Sequence, residues 1–471
     1  MSQDASIDNG QRPMPGVSGK YAPGSANRRY LTGFVLASMA IASVWGSCSI
    51  LIPNQIQMLE TAHWFTGQDA GVNIQHLTLL QQQISAGAAT ATAAQLRLLA
   101  ILNHFNMSKA SSLAIVTAIG VAVTMILQPL IGVVSDRTRS RLGRRAPWIL
   151  FGALAGAATL AVLSFAPSVF MVGLLYTIAQ LLINVAMAPV NATVADRVQV
   201  SHRGTASSLG GFGGFFGLIG GAVFAGAMFG HLGLAIYAIA AAFVAVACVV
   251  FVFAAPDTSS KNLVVETFNW KEFLLGFSVA LRSRDFRWVW IARVFLTFGM
   301  SVSTTLGIYM MQSYIHPALS VAEATALAPK LYLAAAPLSI LSTVFVGRLS
   351  DWLGRRKPFV IAASLLLALS FLIPIVSPTL PALFIQAAIA GLAYGIYLPV
   401  DQALFIDVLP DAKSAGRDLG VAQLGFNLGQ AIGPIAAGIV VGMTGGYLGV
   451  WVTGVVVVTL ATVAILPVRV R

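Results

Sequence analysis

The sequence predicts an all-α polytopic membrane protein: twelve transmembrane helices in two pseudo-symmetric six-helix bundles. Three observations carry that expectation. Only 9% of the 471 residues are charged while 57% are hydrophobic, and the mean hydropathy is +0.82, whereas a soluble domain has roughly a quarter of its residues charged. Twelve apolar runs reach the length of about 20 residues that a helix needs to cross roughly 30 Å of hydrocarbon. One charged loop motif occurs twice, half a chain apart.

In chain order, residues 1–30 are polar and rich in Gly, Ser, Pro and Asn, with no apolar core ahead of Arg28-Arg29. They read as a disordered cytoplasmic tail, and the run at 31–52 as a retained anchor rather than a cleaved signal. Residues 53–111 read as an external insertion. Their Leu77, Leu80, Ile84 and Leu96, Leu99, Leu102 stand at helical spacing, predicting one or two amphipathic helices over the outer mouth. Runs at 112–134, 147–166, 168–191, 207–230 and 232–255 complete a first bundle, 31–255. Residues 256–287, from Pro256-Asp257-Thr258 through an amphipathic stretch at Phe268 to Phe277, read as a cytoplasmic linker with an interfacial helix. Runs at 288–313, 325–346, 358–376, 380–404, 419–441 and 446–467 form the second bundle, 288–467. Short turns such as Ala166-Pro167-Ser168 and Ser377-Pro378 join neighbouring spans.

Cytoplasmic loops keep an excess of Lys and Arg. With the N-terminus inside, 25 of the 28 basic residues, Arg293 among them, fall on the cytoplasmic side, and only Arg97, Lys109 and Lys330 fall outside. Both termini are therefore expected in the cytoplasm and the chain in the plasma (inner) membrane. The net charge of +12 is spread over alternate loops as a topology signal, which removes nucleic acid as a partner. Cys48 and Cys248 lie inside apolar runs, and the six histidines fall in loops or at span ends with no metal or catalytic spacing. No catalytic residue, metal or cofactor is expected, and the chain does not read as an enzyme.

The internal repeat is specific. Gly132-Val-Val-Ser-Asp136-Arg137 with Arg144-Arg145 follows span two; Gly347-Arg-Leu-Ser-Asp351 with Arg355-Arg356 follows span eight. Pro189-Val190-Asn191 with Asp196 ends span four, and Pro399-Val400-Asp401 with Asp407 ends span ten. This doubled pattern resembles the major facilitator superfamily of secondary transporters, over residues 31–467. The loop Ser135 to Trp148 is similar to that of glycoside-pentoside-hexuronide and sucrose-type sugar transporters. Drug antiporters of the superfamily carry Gly-Pro in span five, where this chain has Gly220-Gly221.

Independently of any family, Asp136 and Asp351 lie where a helix reaches the interface, within reach of loop arginines or a neighbouring helix N-terminus. The resemblance implies a latch: Gly132, Asp136, Arg137, Arg144 and Arg145 against the start of span eleven near Asp418 to Gly420, echoed by Gly347, Asp351, Arg355 and Arg356. Topology anchoring is the alternative role for the arginines. Glycines crowd span five, and Gly425, Gly429 and Gly433 recur every four residues in span eleven, allowing backbones to approach where lipid gives no hydrophobic drive.

Polar residues inside spans are costly, so their grouping is informative. Gln180 and Asn184 in span four, Tyr394, Tyr397 and Asp401 in span ten, and Gln423, Asn427 and Gln430 in span eleven each line one helix face. With Trp45, Gln128, Tyr309 and Gln312 they predict a wet cavity between the halves, suited to a neutral polyol; for each residue singly, an interhelical hydrogen bond is the alternative. Asp401 is the one acidic residue within an apolar run and the candidate site for H+ or Na+, with uncoupled diffusion left open. The expected activity is alternating-access transport of a small polar solute, a sugar or glycoside first, by a monomer in the bilayer. Export of a hydrophobic compound, or a non-transporting receptor on the same fold, are the other readings.

Overall fold

In a computed structural model, residues 25–262, 279–409 and 415–469 are described. The expected tail before residue 25 and the interfacial stretch 268–277 lie outside them. The N-terminal bundle comprises α1 (Ser25–Trp64), α2 (Ile74–Ser85), α3 (Ala93–Asp136), α4 (Ala146–Leu163), α5 (Val169–Arg197), α6 (Arg203–Leu232) and α7 (Ile236–Ala254). The second comprises α8 (Arg284–Thr305), α9 (Gly307–Ser313), α10 (Val321–Leu353), α11 (Lys357–Val376), α12 (Leu380–Asp407), α13 (Ala415–Thr444) and α14 (Leu448–Ile465).

By length and hydropathy, ten stretches of the described residues can cross a membrane, or eleven when the pair α8 and α9, bent by 48°, counts as one. One of the ten, Val200–Ala254, holds both α6 and α7. These two run antiparallel, because Gly210 near the start of α6 and Phe251 near the end of α7 both meet the same turn of α1, at Phe34 and Gly33. Twelve crossings result among the described residues, with α2 as an extra helix at one end.

The halves repeat one packing scheme. In the first, α1 packs on α6 and α7, α4 on α5 and α7, and α3 on α5; in the second, α8 packs on α13 and α14, α11 on α12 and α14, and α10 on α12. The halves meet through α3 against α13 and α6 against α10. Within each half, glycine permits the closest approach. A Cβ at Gly217 or Gly221 would overlap the carbonyl oxygen of Met39 or Ser43 on α1, and one at Gly429 or Gly433 would meet that of Val294 or Phe298 on α8.

Three sequence expectations are corrected. In residues 53–111 the helix bounds differ: α1 continues to Trp64 and α3 begins at Ala93, so that only 65–92 joins them, while Leu77, Leu80 and Ile84 fall on α2 and Leu77 packs with Leu99 and Leu102 of α3 in a cluster of their own. Pro53 does not end α1: its missing N–H frees only the Ser49 carbonyl one turn back, a loss that spans tolerate, and the Pro53 oxygen itself accepts from the hydroxyl of Tyr309 at 2.7 Å. Helix α1 also begins at Ser25, inside the expected tail. The linker is shorter at both ends, since α8 starts at Arg284 and residues 257–260 are bonded to the first half: Arg197 pairs with Asp257 at 3.5 Å and the Ser260 amide donates to the Ser140 carbonyl.

Replacing Gly217 by Leu is expected to force α1 and α6 apart and to destabilise the protein by about 3 kcal/mol, the upper range for overpacking. Gly220→Leu, at a position where a Cβ meets nothing within 4 Å, should unfold like the parent. Thermal unfolding of both variants in detergent checks the difference.

Candidate functional site

The two loop motifs build the same network. Arg145 bridges Asp136 and Asp196, donating Nε to the latter at 3.0 Å, and Arg144 joins Asp196. In the second half Arg356 bridges Asp351, at 3.8 Å, and Asp407, at 3.1 Å. Each network ties the end of one helix to the start of the next within its own half. Asp136 is 54% exposed and bonds to Arg145 rather than to α13. Gly132 and Gly420 face open space, Gly347 meets only Pro399 of its own half, and Arg355 is exposed.

The opposite end of the molecule is closed. Lys109 of α3 is buried at the seam, its ammonium 4.7 Å from the Phe105 ring, 4.8 Å from the Tyr309 ring of α9 and 3.5 Å from Gln312 Oε1. Thr325 donates to Asn54 Oδ1 across the halves at 2.9 Å. Helix α2 straps over the second half, with Gln82 donating to the Ile315 carbonyl at 2.8 Å and accepting from the Ala318 amide at 3.3 Å. Glu60, buried in α1, accepts from Trp64, Ser108 and Ser112. Tyr309 and Gln312, expected in the cavity wall, are thus parts of this seal.

Between seal and motif end lie two cavities. One, of about 190 Å³, sits where the halves meet and is lined by Trp45, Ser49, Thr117, Tyr176, Thr304, Thr305 and Tyr332 with their apolar neighbours. Its wall includes the α8–α9 break, where Thr304 and Thr305 turn their hydroxyls back onto the carbonyls of Met300 and Ser301. The other, of about 410 Å³, lies between α1, α5 and α6, and its wall includes Phe34, Ser38, Trp45, Asn191 and Ser207. Trp45 borders both. No charged side chain lines either one.

The remaining expected residues divide. Gln423 and Gln430 are exposed and Asn427 half-buried, with Gln423 donating to Asn427 at 3.3 Å. They share a face of α13 with Gly438, which meets Ala114 of α3 nearer the seal. Towards the motif end that face is open, and Gln128 of α3 is half-buried on the facing side. Gln180 instead packs against Gly120 in the α3–α5 seam, and Asn184 is buried, donating to the Gln180 carbonyl at 2.8 Å. Neither borders the two cavities: the Gln180 Oε1 is buried without a hydrogen-bond partner, and the bond of Asn184 stays within α5. Tyr394 is half-buried and Tyr397 buried.

Asp401 is not a lone carboxylate. Arg293, counted from sequence with the cytoplasmic topology charges, is buried in α8 and donates Nε to Asp401 Oδ2 at 2.8 Å; each is 3% exposed. Its guanidinium lies 4.0 Å from the centre of the Phe405 ring. The signal was present in the sequence, since Arg293 falls inside the 288–313 run. Lys109 and Glu60 were missed because the apolar runs, which set the expected span ends, stop short of the true helix ends.

Arg293→Met or Asp401→Asn alone strands a buried charge and is expected to cost about 3–5 kcal/mol, whereas R293M/D401N should cost less than either single change. Chemical unfolding of the three variants reads the cycle, and additive losses would exclude coupling between the two side chains.

Comparison with known proteins agrees with this architecture. Similar solved structures include a bacterial homolog of the human lysosomal transporter Spinster, inward-facing and unoccupied (14% identity, TM-score 0.65, covering 95% of this chain and 96% of that one). The nucleoside transporter NupG (14%, TM-score 0.62, 93% and 98%) and the human organic anion transporter MFSD10 (16%, TM-score 0.61, 94% and 100%) are also similar. At these identities the likeness shows the fold. No curated protein sequence matches the chain. The Major Facilitator Superfamily profile matches residues 79–379 and 309–471, so the chain belongs to that superfamily and is a membrane transporter, not an enzyme.

Proposed function

We propose that the protein moves a small neutral polar solute, a sugar or glycoside, across the cell membrane by alternating access. The observation that carries this reading is the chemistry of the two cavities: hydroxyls, an amide and aromatic rings, with no charged side chain in either wall. An organic anion, the substrate named for one neighbour, would find no countercharge there. On the positive-inside expectation the doubled Arg loops and both termini face the cytoplasm, so the geometry, sealed at Lys109 and Gln82 and open at the loops, is the inward-facing state.

Opening outward then means parting α2, α3 and α9 at the seal and bringing the motif ends together. In that step Gly132 gives α13 a surface without a side chain, and Asp136 exchanges its partner Arg145 for the start of α13 near Asp418. Arg137, Arg144 and the counterparts Gly347, Asp351, Arg355 and Arg356 complete the gate. Asp401 is the coupling residue in this reading. A proton or Na+ reaching its carboxylate takes the place of Arg293, and the added positive charge obliges the freed guanidinium to turn to solvent or another partner, which links ion binding to movement of α8. The apolar part of the larger cavity, with Ile41, Met187 and Val190, supports a second reading, export of a hydrophobic compound.

Uptake into proteoliposomes across a panel of sugars, glycosides, nucleosides and lipophilic cations separates the two: saturable sugar or glycoside flux is expected, and competition by lipophilic cations alone would favour the exporter. With an imposed H+ or Na+ gradient, R293M/D401N should exchange solute at equilibrium but fail to accumulate it. Full uphill accumulation by that variant would remove the coupling role.

A further inference from the structure

The two halves share one register, and that register singles out a ligand site in only one of them. Gly217 and Gly221 lie on the carbonyls of Met39 and Ser43, as Gly429 and Gly433 lie on those of Val294 and Phe298. Met39 thus corresponds to Val294 and Ser43 to Phe298. One turn further on, the same offset pairs Gly46, which meets the Leu218 carbonyl, with Ser301, whose hydroxyl donates to the carbonyl of the matching Gln430. On this register Ser38 occupies the position of Arg293. The doubled Pro-Val-Asn and Pro-Val-Asp triplets set α5 against α12, so Asn191 occupies the position of Asp401.

In the second half these two positions are filled by a guanidinium and a carboxylate in contact, covered by the Phe405 ring. In the first half they are a hydroxyl and an amide. The missing volume and charge leave a cavity of about 410 Å³, with Ser38 and Asn191 both in its wall. That volume falls in the range of small-molecule sites, roughly 300–1,000 Å³. Among the described residues, Ser38, Asn191 and Ser207 make no side-chain hydrogen bond to the protein and Asn191 is exposed, while Phe34 and Trp45 present aromatic surface to the same space.

We infer that this cavity between α1, α5 and α6 is the ligand site, that Ser38 and Asn191 determine its specificity, and that it takes a neutral ring compound with one apolar face and a hydroxylated edge. The inference rests on the transport reading above and deepens it. The ring lies against Trp45 and Phe34, and the hydroxyls bond to Ser38, Asn191 and Ser207. The second half, its equivalent positions closed by the ion pair, works as the moving wall rather than as a second site.

The test uses the full-length protein and phenyl β-D-glucoside, a neutral glycoside carrying one aromatic ring, in isothermal titration calorimetry. S38R/N191D rebuilds the ion pair of the other half inside the cavity. Gly211→Leu fills the same space from α6, where a Cβ meets nothing within 4 Å, and so keeps the test decisive if the double variant fails to fold. Gly220→Leu, equally open but outside the cavity wall, is the control. Binding by the parent and by Gly220→Leu, with a loss of tenfold or more in Gly211→Leu and S38R/N191D at unchanged melting temperature, is the expected result. Parental affinity in Gly211→Leu overturns the site while leaving the transport reading intact. No binding by the parent overturns the ligand class, and flux of another solute in the proteoliposome panel would show that transport itself stands.

Discussion

Backbone-to-backbone contact at glycine sets the geometry on which everything else rests. Lipid offers no hydrophobic drive for helices to associate, so close packing must supply it. Where Gly217 and Gly221 rest on α1 and Gly429 and Gly433 on α8, the two helices of each pair have one permitted register. That register fixes which residues of α1 and α8 turn towards α5 and α12. It therefore decides that Ser38 shares a cavity with Asn191 and that Arg293 meets Asp401.

Against this shared frame the halves have diverged in how they treat polar groups. The second half buries a charge pair and stacks Phe405 on it, which a low-dielectric interior permits because neither charge is left alone. At the equivalent positions the first half keeps neutral groups, Ser38 and Asn191, and leaves space. A bundle with matched frames and unmatched interiors suits alternating access, since one half can remain firm while the other presents the solute.

The two ends of the molecule are held by different physics. At the motif end, Asp136–Arg145–Asp196 and Asp351–Arg356–Asp407 are partly solvated ion pairs inside each half, which brace helix ends without joining the halves. At the far end the seal is made of neutral amide bonds, aromatic rings and one buried ammonium: Gln82 on the 315–318 segment, Tyr309 on Pro53, Lys109 between two rings. Contacts of that kind are individually weak and collectively reversible, as a gate requires.

The sequence by itself determined the number of crossings, the two-half organisation and the doubled charged loop, because hydrocarbon thickness dictates run length and a repeated motif needs no tertiary information to be seen. It also located the amide face of α13, whose residues Gln423, Asn427 and Gln430 follow helical spacing. Only the tertiary structure decided what each polar group does. Gln180 and Tyr309 read alike in sequence, yet one fills a helix seam and the other bolts the halves together. Arg293 looked like a loop charge until α12 placed Asp401 beside it, and Ser38 carried no signal at all. A residue's partner in a bundle comes from another helix at a register set by backbone contact, and that information is absent from the spacing along any single span.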